Sequence, residues 1–347
     1  MLQHDADMVI ASSLPRRVII LYSVSHAQGK GETWDALAED EVAQVAQGLR
    51  AALSPSIPEV VLAPVDDDVV AALRPYTPEE TVVFNLCEAI AGDAAREAEA
   101  AEHLAARGFC FTGSPAATLA WCQNKAAAKA RLLAAGLPTP VHQVFQTPDE
   151  PLSPALRFPL FVKPVAEDGS VGISRESVVM DEIRLRARVR YILETYREPA
   201  LVEEFIGGRE FNIAVWGNDP PEVLPLAELA YRRTADPLAR VVTYAAKWQA
   251  ETQEYHDTPV VCPAPVEEPL AGRLRQVALA AYRVMGCRDY ARVDLRERGG
   301  EPFILEVNPN PSLAADAGFQ RAARAAGYDY AAMAARIVAH AWARSQR

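Results

Sequence analysis

Hydrophobic and polar positions along this chain fall into short, changing periods. RVIILYSV (17–24) is apolar almost throughout and predicts a fully buried strand. A helical pattern follows over about 33–53, then strands at EVVLAPV (59–65) and TVVFNLCE (81–88). An Ala- and Glu-rich helix runs to about 107, before GFCFTGS (108–114). Strands alternating with helices predict a parallel sheet with helical crossovers. Ser114-Pro115 is placed to cap a helix running to about Gln123, with proline in its first turn. Asn124 is placed to cap KAAAKARLLAA, which Gly136 and Pro138 stop. After Pro140 the pattern turns to short strands, 141–145, 158–164, 200–206 and 210–217, with one helix at 181–196. Residues 231–259 are polar with few hydrophobic periods, and so long an irregular stretch predicts a lid. ARVDLR (291–296) and PFILEVN (302–308) alternate like half-buried strands, and Gly299-Gly300 between them predicts a hairpin turn. A long helix closes the chain at about 327–345. These shifts of period divide the chain into expected domains 1–120, 121–205 and 206–347.

Composition narrows the class. The 347 residues carry ample apolar content for a sizeable core and a net charge of −11, which argues against non-specific nucleic-acid binding. An anionic substrate must then be met by locally placed cations. The five cysteines form no CxxC pair and predict core thiols in a reducing compartment. The N-terminus lacks a signal-type apolar core and no run reaches membrane-span length, so a cytoplasmic enzyme away from membranes is expected. No GxGxxG occurs, which leaves a dinucleotide site without support.

Candidate chemistry gathers at the predicted hairpin. Side chains two apart on a strand share a face, so Arg292 and Asp294 point one way and Ala291, Val293 and Leu295 the other. On the second strand Glu306 and Asn308 share a face, with Leu305 and Val307 opposite. A turn centred near Gly300 sets Asp294 across from Glu306, with Cβ atoms roughly 5 Å apart. Two carboxylates and an amide oxygen are hard ligands suited to magnesium; a solvated face with one surface ion pair is the competing reading. Lys163 ends an apolar strand, and the loop Glu167-Asp168-Gly169-Ser170-Val171-Gly172-Ile173-Ser174 follows it. Glycines let backbone N–H groups cradle phosphate oxygens, and a lysine at the loop's edge adds the point charge. In LVEEFIGGREFNIAV, Glu203, Glu204 and Glu210 flank a Gly-Gly turn that could hold an adenine and a ribose, or form an exposed hairpin with solvated glutamates. Lys247 sits within the lid candidate, where lysines reach phosphates on closure.

The order of these pieces resembles the ATP-grasp superfamily, and within it the D-alanine–D-alanine ligase group. Lys125 comes first, then Lys163 with its glycine loop, VEEFIGGRE, AAKW, YARVDLR and FILEVNPNP. The resemblance covers about 110–313 closely. It implies a three-domain α/β (α+β) fold: an N-terminal Rossmann-like parallel-sheet domain, a small central α+β subdomain and a C-terminal antiparallel-sheet α+β subdomain. It implies that Lys125 and Lys163 hold ATP phosphates, with Glu167, Gly169, Ser170 and Ile173 in the covering loop. Glu203, Glu204, Phe205, Ile206 and Leu305 would line the adenine pocket, and Glu210 would bind ribose. Asp294, Glu306 and Asn308 would bind two Mg²⁺ ions, with Mn²⁺ as a substitute. Lys247 would touch the γ-phosphate, Ser170 would act beside it, and Arg292 would steady the oxyanion. The implied reaction joins a small-molecule carboxylate to an amine through an acyl phosphate. Family members are commonly homodimers.

The chain departs from the family's pattern at the substrate end. Gly169 stands where the first of two loop serines is usual. The lid aromatic is Trp248, and Glu32 is the nearest candidate for an N-terminal glutamate. Cys87-Glu88 replaces the usual His-Gly, and Pro311-Ser312-Leu313-Ala314 replaces a Pro-Gly-x-Thr run whose positions bind the second substrate's carboxylate. Glu88, Trp248, Ser312 and Leu313 are therefore the expected substrate contacts. With the ATP half intact and the amino-acid half rewritten, the expected activity is an ADP-forming ligase for substrates other than paired D-alanine. The alternatives are an ordinary D-alanine–D-alanine ligase and an inactive nucleotide-binding scaffold.

Overall fold

The computed structural model describes residues 14–24, 31–32, 41–232, 234 and 236–347. Its strands form three sheets. The first is parallel, in the order β2 (Glu59–Val65), β1 (Arg17–Ser23), β3 (Thr81–Leu86), β4 (Cys110–Phe111). β1 is apolar on both faces because both are covered. Val18 and Ile20 pack with the helices Glu41–Leu53, Gly318–Ala325 and Tyr330–Ser345. Ile19 and Leu21 pack against Val69–Leu73 and Glu97–Ala106. The last helix of the chain thus returns to cover the first sheet. The predicted pattern at 33–40 lies outside the described residues.

The second sheet is antiparallel, in the order β5 (His142–Phe145), β8 (Ala200–Glu204), β6 (Leu160–Pro164), β7 (Val178–Val179), and rests on the helix Glu182–Thr195. The third runs β12 (Val260–Val261), β11 (Ala227–Leu229), β9 (Glu210–Trp216), β13 (Tyr290–Arg298), β14 (Glu301–Asn308), with β10 (Glu222–Val223) beside β9. One face of this sheet is dry: Phe211, Ile213, Ala291, Val293, Leu295, Ile304 and Val307 pack with the helices Leu270–Met285 and Lys125–Ala134. Asn124 caps the latter helix by accepting from Ala127 N at 3.0 Å. No helix among the described residues is long and apolar enough to cross a membrane.

Three local expectations change. Pro115 itself is the N-cap of Ala116–Gln123, and no side chain, Ser114 included, caps it. The stretch 231–259 is not irregular throughout: it holds short helices at Tyr244–Trp248 and Gln253–Asp257, each capped by a threonine side chain. Leu305 does not share the core face of Val307. Gly299 and Gly300 both take positive φ (61° and 83°), which a two-residue hairpin turn of this hand requires. Counting inward from that turn, Arg298 pairs with Glu301 and Leu295 with Ile304; continued, the count would set Asp294 against Leu305. A register shift between Asp294 and Leu295 puts Asp294 opposite Glu306 instead. Ile304 and Val307 are both core residues, while Leu305 is left outside that core.

The turn Gly207-Gly208 carries the chain from the second sheet to the third. A Cβ on Gly208 would stand 1.8 Å from the Glu297 carbonyl oxygen, whereas one on Gly207 meets nothing closer than 3.6 Å. Gly208→Ala is expected to cost about 1–3 kcal/mol of stability, and Gly207→Ala close to nothing. Thermal unfolding of both variants measures this; equal melting temperatures would contradict the packing described.

Candidate active site

The polar face of the third sheet is the floor of the site. Strand alternation gives it Glu210 and Asn212 from β9, Arg292, Asp294 and Arg296 from β13, and Glu306 and Asn308 from β14, in adjacent registers. Arg292 donates to both Asp294 oxygens at 2.8 Å. Asn212 and Asn308 also donate to Asp294, at 2.7 and 3.0 Å. Asn308 reaches Glu306 at 3.3 Å. Burial pushes the Asp294 carboxyl upward and the Glu306 charge adds to this, against the pull of Arg292. Burial opposes ionisation of Glu306 too, but Lys125, Lys163 and Arg292 outweigh it and hold its carboxyl at about 2. Two facing carboxylates beside an amide oxygen form a hard-oxygen donor set, and a divalent cation between them would cancel their repulsion.

Four lysines converge above that floor. Lys125, the first residue of its helix, donates to Asp168 at 2.8 Å and to the Glu167 carbonyl at 2.5 Å. Burial works against its charge, but Asp168 and Glu306 outweigh it and hold the ammonium above its ordinary value. Lys163 on β6 and Lys129 one helical turn after Lys125 grip opposite oxygens of Glu203, at 3.0 and 2.9 Å. All three are almost wholly buried. Burial lowers the Lys129 ammonium to about 8, while the two lysines, against the opposing effect of burial, hold Glu203 at about 2. Lys247 lies over Trp248 on the short helix Tyr244–Trp248, and burial followed by Arg292 lowers its pKa.

The glycine loop lies beneath that helix. Gly169, Ser170 and Gly172 have positive φ, and for Ser170 (65°) this is a strained conformation of the kind held at functional sites. Trp248 Nε1 donates to the Gly169 carbonyl at 2.8 Å, and Tyr244 N donates to the Ile173 carbonyl at 3.1 Å. Arg175 pairs with Glu254 at 2.9 Å. Residues 244–257 therefore close over residues 169–175.

At the expected nucleoside end, Glu210 accepts from Arg296 at 2.6 Å and from Tyr231 at 2.8 Å. The Arg296 guanidinium stacks over Phe205 at 5.1 Å and donates to the Ile206 carbonyl at 2.9 Å. Glu204 pairs with Arg298 at 2.5 Å, at the surface. Leu305 is half-buried nearby on β14. At the other end Ser312 donates to Glu41 at 2.8 Å, Leu313 is buried in the first core, and Glu88 projects into the cleft. Glu32 accepts from the Tyr191 hydroxyl at 3.0 Å. Among the described residues, Glu41 lines the pocket at this end together with Glu88 and Ser312.

A model of the family described as D-ala D-ala ligase C-terminus matches residues 132–339. The D-alanine–D-alanine ligase of Desulforudis audaxviator is 34% identical over 281 residues, covering 78% of this chain and 84% of that protein. The chain belongs to the D-alanine–D-alanine ligase family. It is an ATP-grasp ligase. The uncharacterized protein y4sG of Sinorhizobium fredii is 35% identical over 297 residues, with 84% of this chain and 85% of that protein covered. In fold the ligase matches the crystal structure of the Bacillus anthracis D-alanine–D-alanine ligase complexed with ATP, with a TM-score of 0.71 at 20% identity over 95% of this chain and 99% of the other.

Several residues of this ligase's site escape motif reading. Lys129 had a signal, its spacing of four from Lys125, and Arg296 had one, its place two after Asp294 on the same strand face. Glu41 lies on a helix and Glu97 begins one, where acidic residues are ordinary. Asn212 and Tyr231 carry no local signal.

The Lys129–Glu203–Lys163 cluster makes a pH-dependent contribution. The Glu203 pKa is depressed, so its stabilisation is present above the ordinary carboxylate value and is lost as pH falls toward about 2. Glu203→Gln leaves two buried ammoniums facing each other and is expected to cost about 3 kcal/mol at neutral pH. Melting curves from pH 6 to 2 should show the gap between wild type and variant narrowing below about pH 4; a constant gap would contradict the cluster's role.

Proposed function

We propose that the protein is an ATP-dependent carboxylate–amine ligase whose substrates differ from paired D-alanine. One observation carries this reading. The lysines and oxygen donors that suit a nucleotide triphosphate converge, while the substrate end presents carboxylates. Lys125, Lys163 and Lys247 are assigned to phosphate oxygens. Phe205, Ile206 and Leu305 are assigned to adenine, with Glu203 and Glu204 at its edge, and Glu210 to ribose. Asp294, Glu306 and Asn308 are assigned to Mg²⁺, which when bound would neutralise the phosphate charge.

In the reaction, a carboxylate oxygen bonds to the γ-phosphorus as the bond to ADP breaks. An amine then attacks the acyl carbon, and phosphate leaves with the bonding electrons. Lysines reduce the repulsion between the two anions of the first step. Arg292, held rigidly by its two bonds to Asp294, is positioned to steady the oxyanion of the second. The closed helix Tyr244–Trp248 keeps water from the acyl phosphate. Its latch suits Gly169: the indole N–H uses a backbone carbonyl, so no serine side chain is needed there.

The 34% identity to a D-alanine–D-alanine ligase favours a second reading, that ordinary activity. ADP release with D-alanine, ATP and Mg²⁺ separates the two; robust dipeptide formation would overturn the proposed difference in substrates. For the proposed metal site, Glu306→Ala is expected to lower turnover by about 100-fold or more with the protein still folded. ADP release and thermal unfolding on one preparation measure both, and near-normal turnover would contradict the assignment.

A further inference from the structure

The nucleoside end of the cleft holds a buried ion pair. β13 and β9 run antiparallel, and their register sets Arg296 directly opposite Glu210; cross-strand neighbours of this kind have Cβ atoms about 5 Å apart. Both side chains stand on the polar face of the third sheet, yet Arg296 is only 5% exposed and Glu210 only 9%. A buried ion pair is no better for stability than well-packed apolar residues of similar size. Its presence therefore points to a use for the carboxylate.

The bonding of that carboxylate is asymmetric. Arg296 donates from Nε at 2.9 Å and from Nη2 at 2.6 Å, the Tyr231 hydroxyl donates at 2.8 Å, and all three bonds end on Oε2. Among the described residues no donor meets Oε1, and 12% of the Glu210 side chain stays exposed. Burial, and after it Glu210, raises the Tyr231 pKa well above the ordinary phenol value. The hydroxyl thus keeps its proton for Oε2, while its oxygen accepts from Arg296 at 3.2 Å. Arg296 is itself held: Nη1 donates to the Ile206 carbonyl at 2.9 Å, and the guanidinium lies over the Phe205 ring. It is fixed against both arms of the Gly207-Gly208 turn, with Phe205 and Ile206 on one side and Glu210 on the other. Its charge also offsets that of Glu210, which would otherwise repel phosphates bound in the same cleft.

We propose that Arg296 and Tyr231 are positioning residues that make the protein select ribonucleotides: they hold Glu210 by Oε2, so that Oε1 accepts from the vicinal hydroxyls of a ribose. The inference rests on the ligase reading and on its assignment of Glu210 to ribose. It adds which groups aim the carboxylate and what selectivity follows. A carboxylate free to rotate would meet the two hydroxyls in several orientations, and part of the strength of each bond would go into fixing one of them. Held by three donors, it is already fixed. A sugar without the hydroxyls would cover Oε1 and give it no donor, which is unfavourable.

Calorimetry on the full chain with Mg²⁺ tests this by comparing ADP with 2′,3′-dideoxy-ADP, which differ only in those hydroxyls. Wild type is expected to bind ADP about tenfold or more tightly than the dideoxy form. Tyr231→Phe and Arg296→Lys are each expected to cut that ratio to about threefold or less by weakening ADP, with dideoxy-ADP bound as by wild type. The ratio separates aiming from mere stabilisation, because a general loosening of the fold weakens both nucleotides alike. Should Arg296→Lys fail to fold, the Tyr231→Phe ratio decides, since both residues act on the same oxygen. An unchanged ratio would overturn the role of the residue replaced and leave the ligase reading intact. Equal binding of the two nucleotides by wild type would overturn the assignment of Glu210 to ribose, and this inference with it. Wild type that binds neither nucleotide would overturn the ligase reading beneath both.

Discussion

The two-against-one pairing at Leu305 decides what the third sheet offers. Without it, Asp294 would face a leucine, and the polar residues of β13 and β14 would fall out of step. With it, Ile304 and Val307 both stay in the dry core while Glu306 and Asn308 stand beside Asp294 and Arg292. Apolar packing beneath the sheet fixes the register, because slipping by one residue would carry Val293 and Leu295 out of the core and Asp294 into it. The position of each charged group on the floor follows from that.

Charge balance organises the rest. Burying an ionised group is costly unless it is paired, and nearly every buried charge in the cleft is. Glu203 holds two lysines, Glu210 holds Arg296, Asp294 holds Arg292 and Asp168 holds Lys125. These pairings keep the cations aimed into one cleft. Among the described residues the contrast lies at the other end of the cleft, where Glu41 is bonded by the Ser312 hydroxyl and Glu97 by the Asn310 amide.

Much of this was legible in the sequence, and for definite reasons. The strand at 17–23, the hairpin turn at Gly299-Gly300 and the helix capped by Asn124 each follow from strong local rules of periodicity, turn chemistry and capping. Lys125, Lys163, Asp294 and Glu306 stood out because their order along the chain matches a family. What escaped depended on distance in the fold. The bulge at Leu305 cannot be read from alternation alone, since alternation predicts its absence. The short helices at 244–248 and 253–257 rest on the caps Thr243 and Thr252, and the first also on a bond from Trp248 to Gly169, seventy-nine residues away. Glu41 looks like an ordinary polar residue of a helix until the fold brings it to one pocket with Glu88.

The central claim is that the sheet face built around Asp294, Glu306 and Asn308 holds the metal of a bound nucleotide triphosphate. A crystal structure with Mg²⁺ and AMP-PNP tests it most directly. The account predicts metal density ligated by Asp294, Glu306 and Asn308, with phosphate oxygens against Lys125, Lys163 and Lys247. Nucleotide bound elsewhere, or bound here with Asp294 and Glu306 still meeting only Arg292, Asn212 and Asn308, would contradict it.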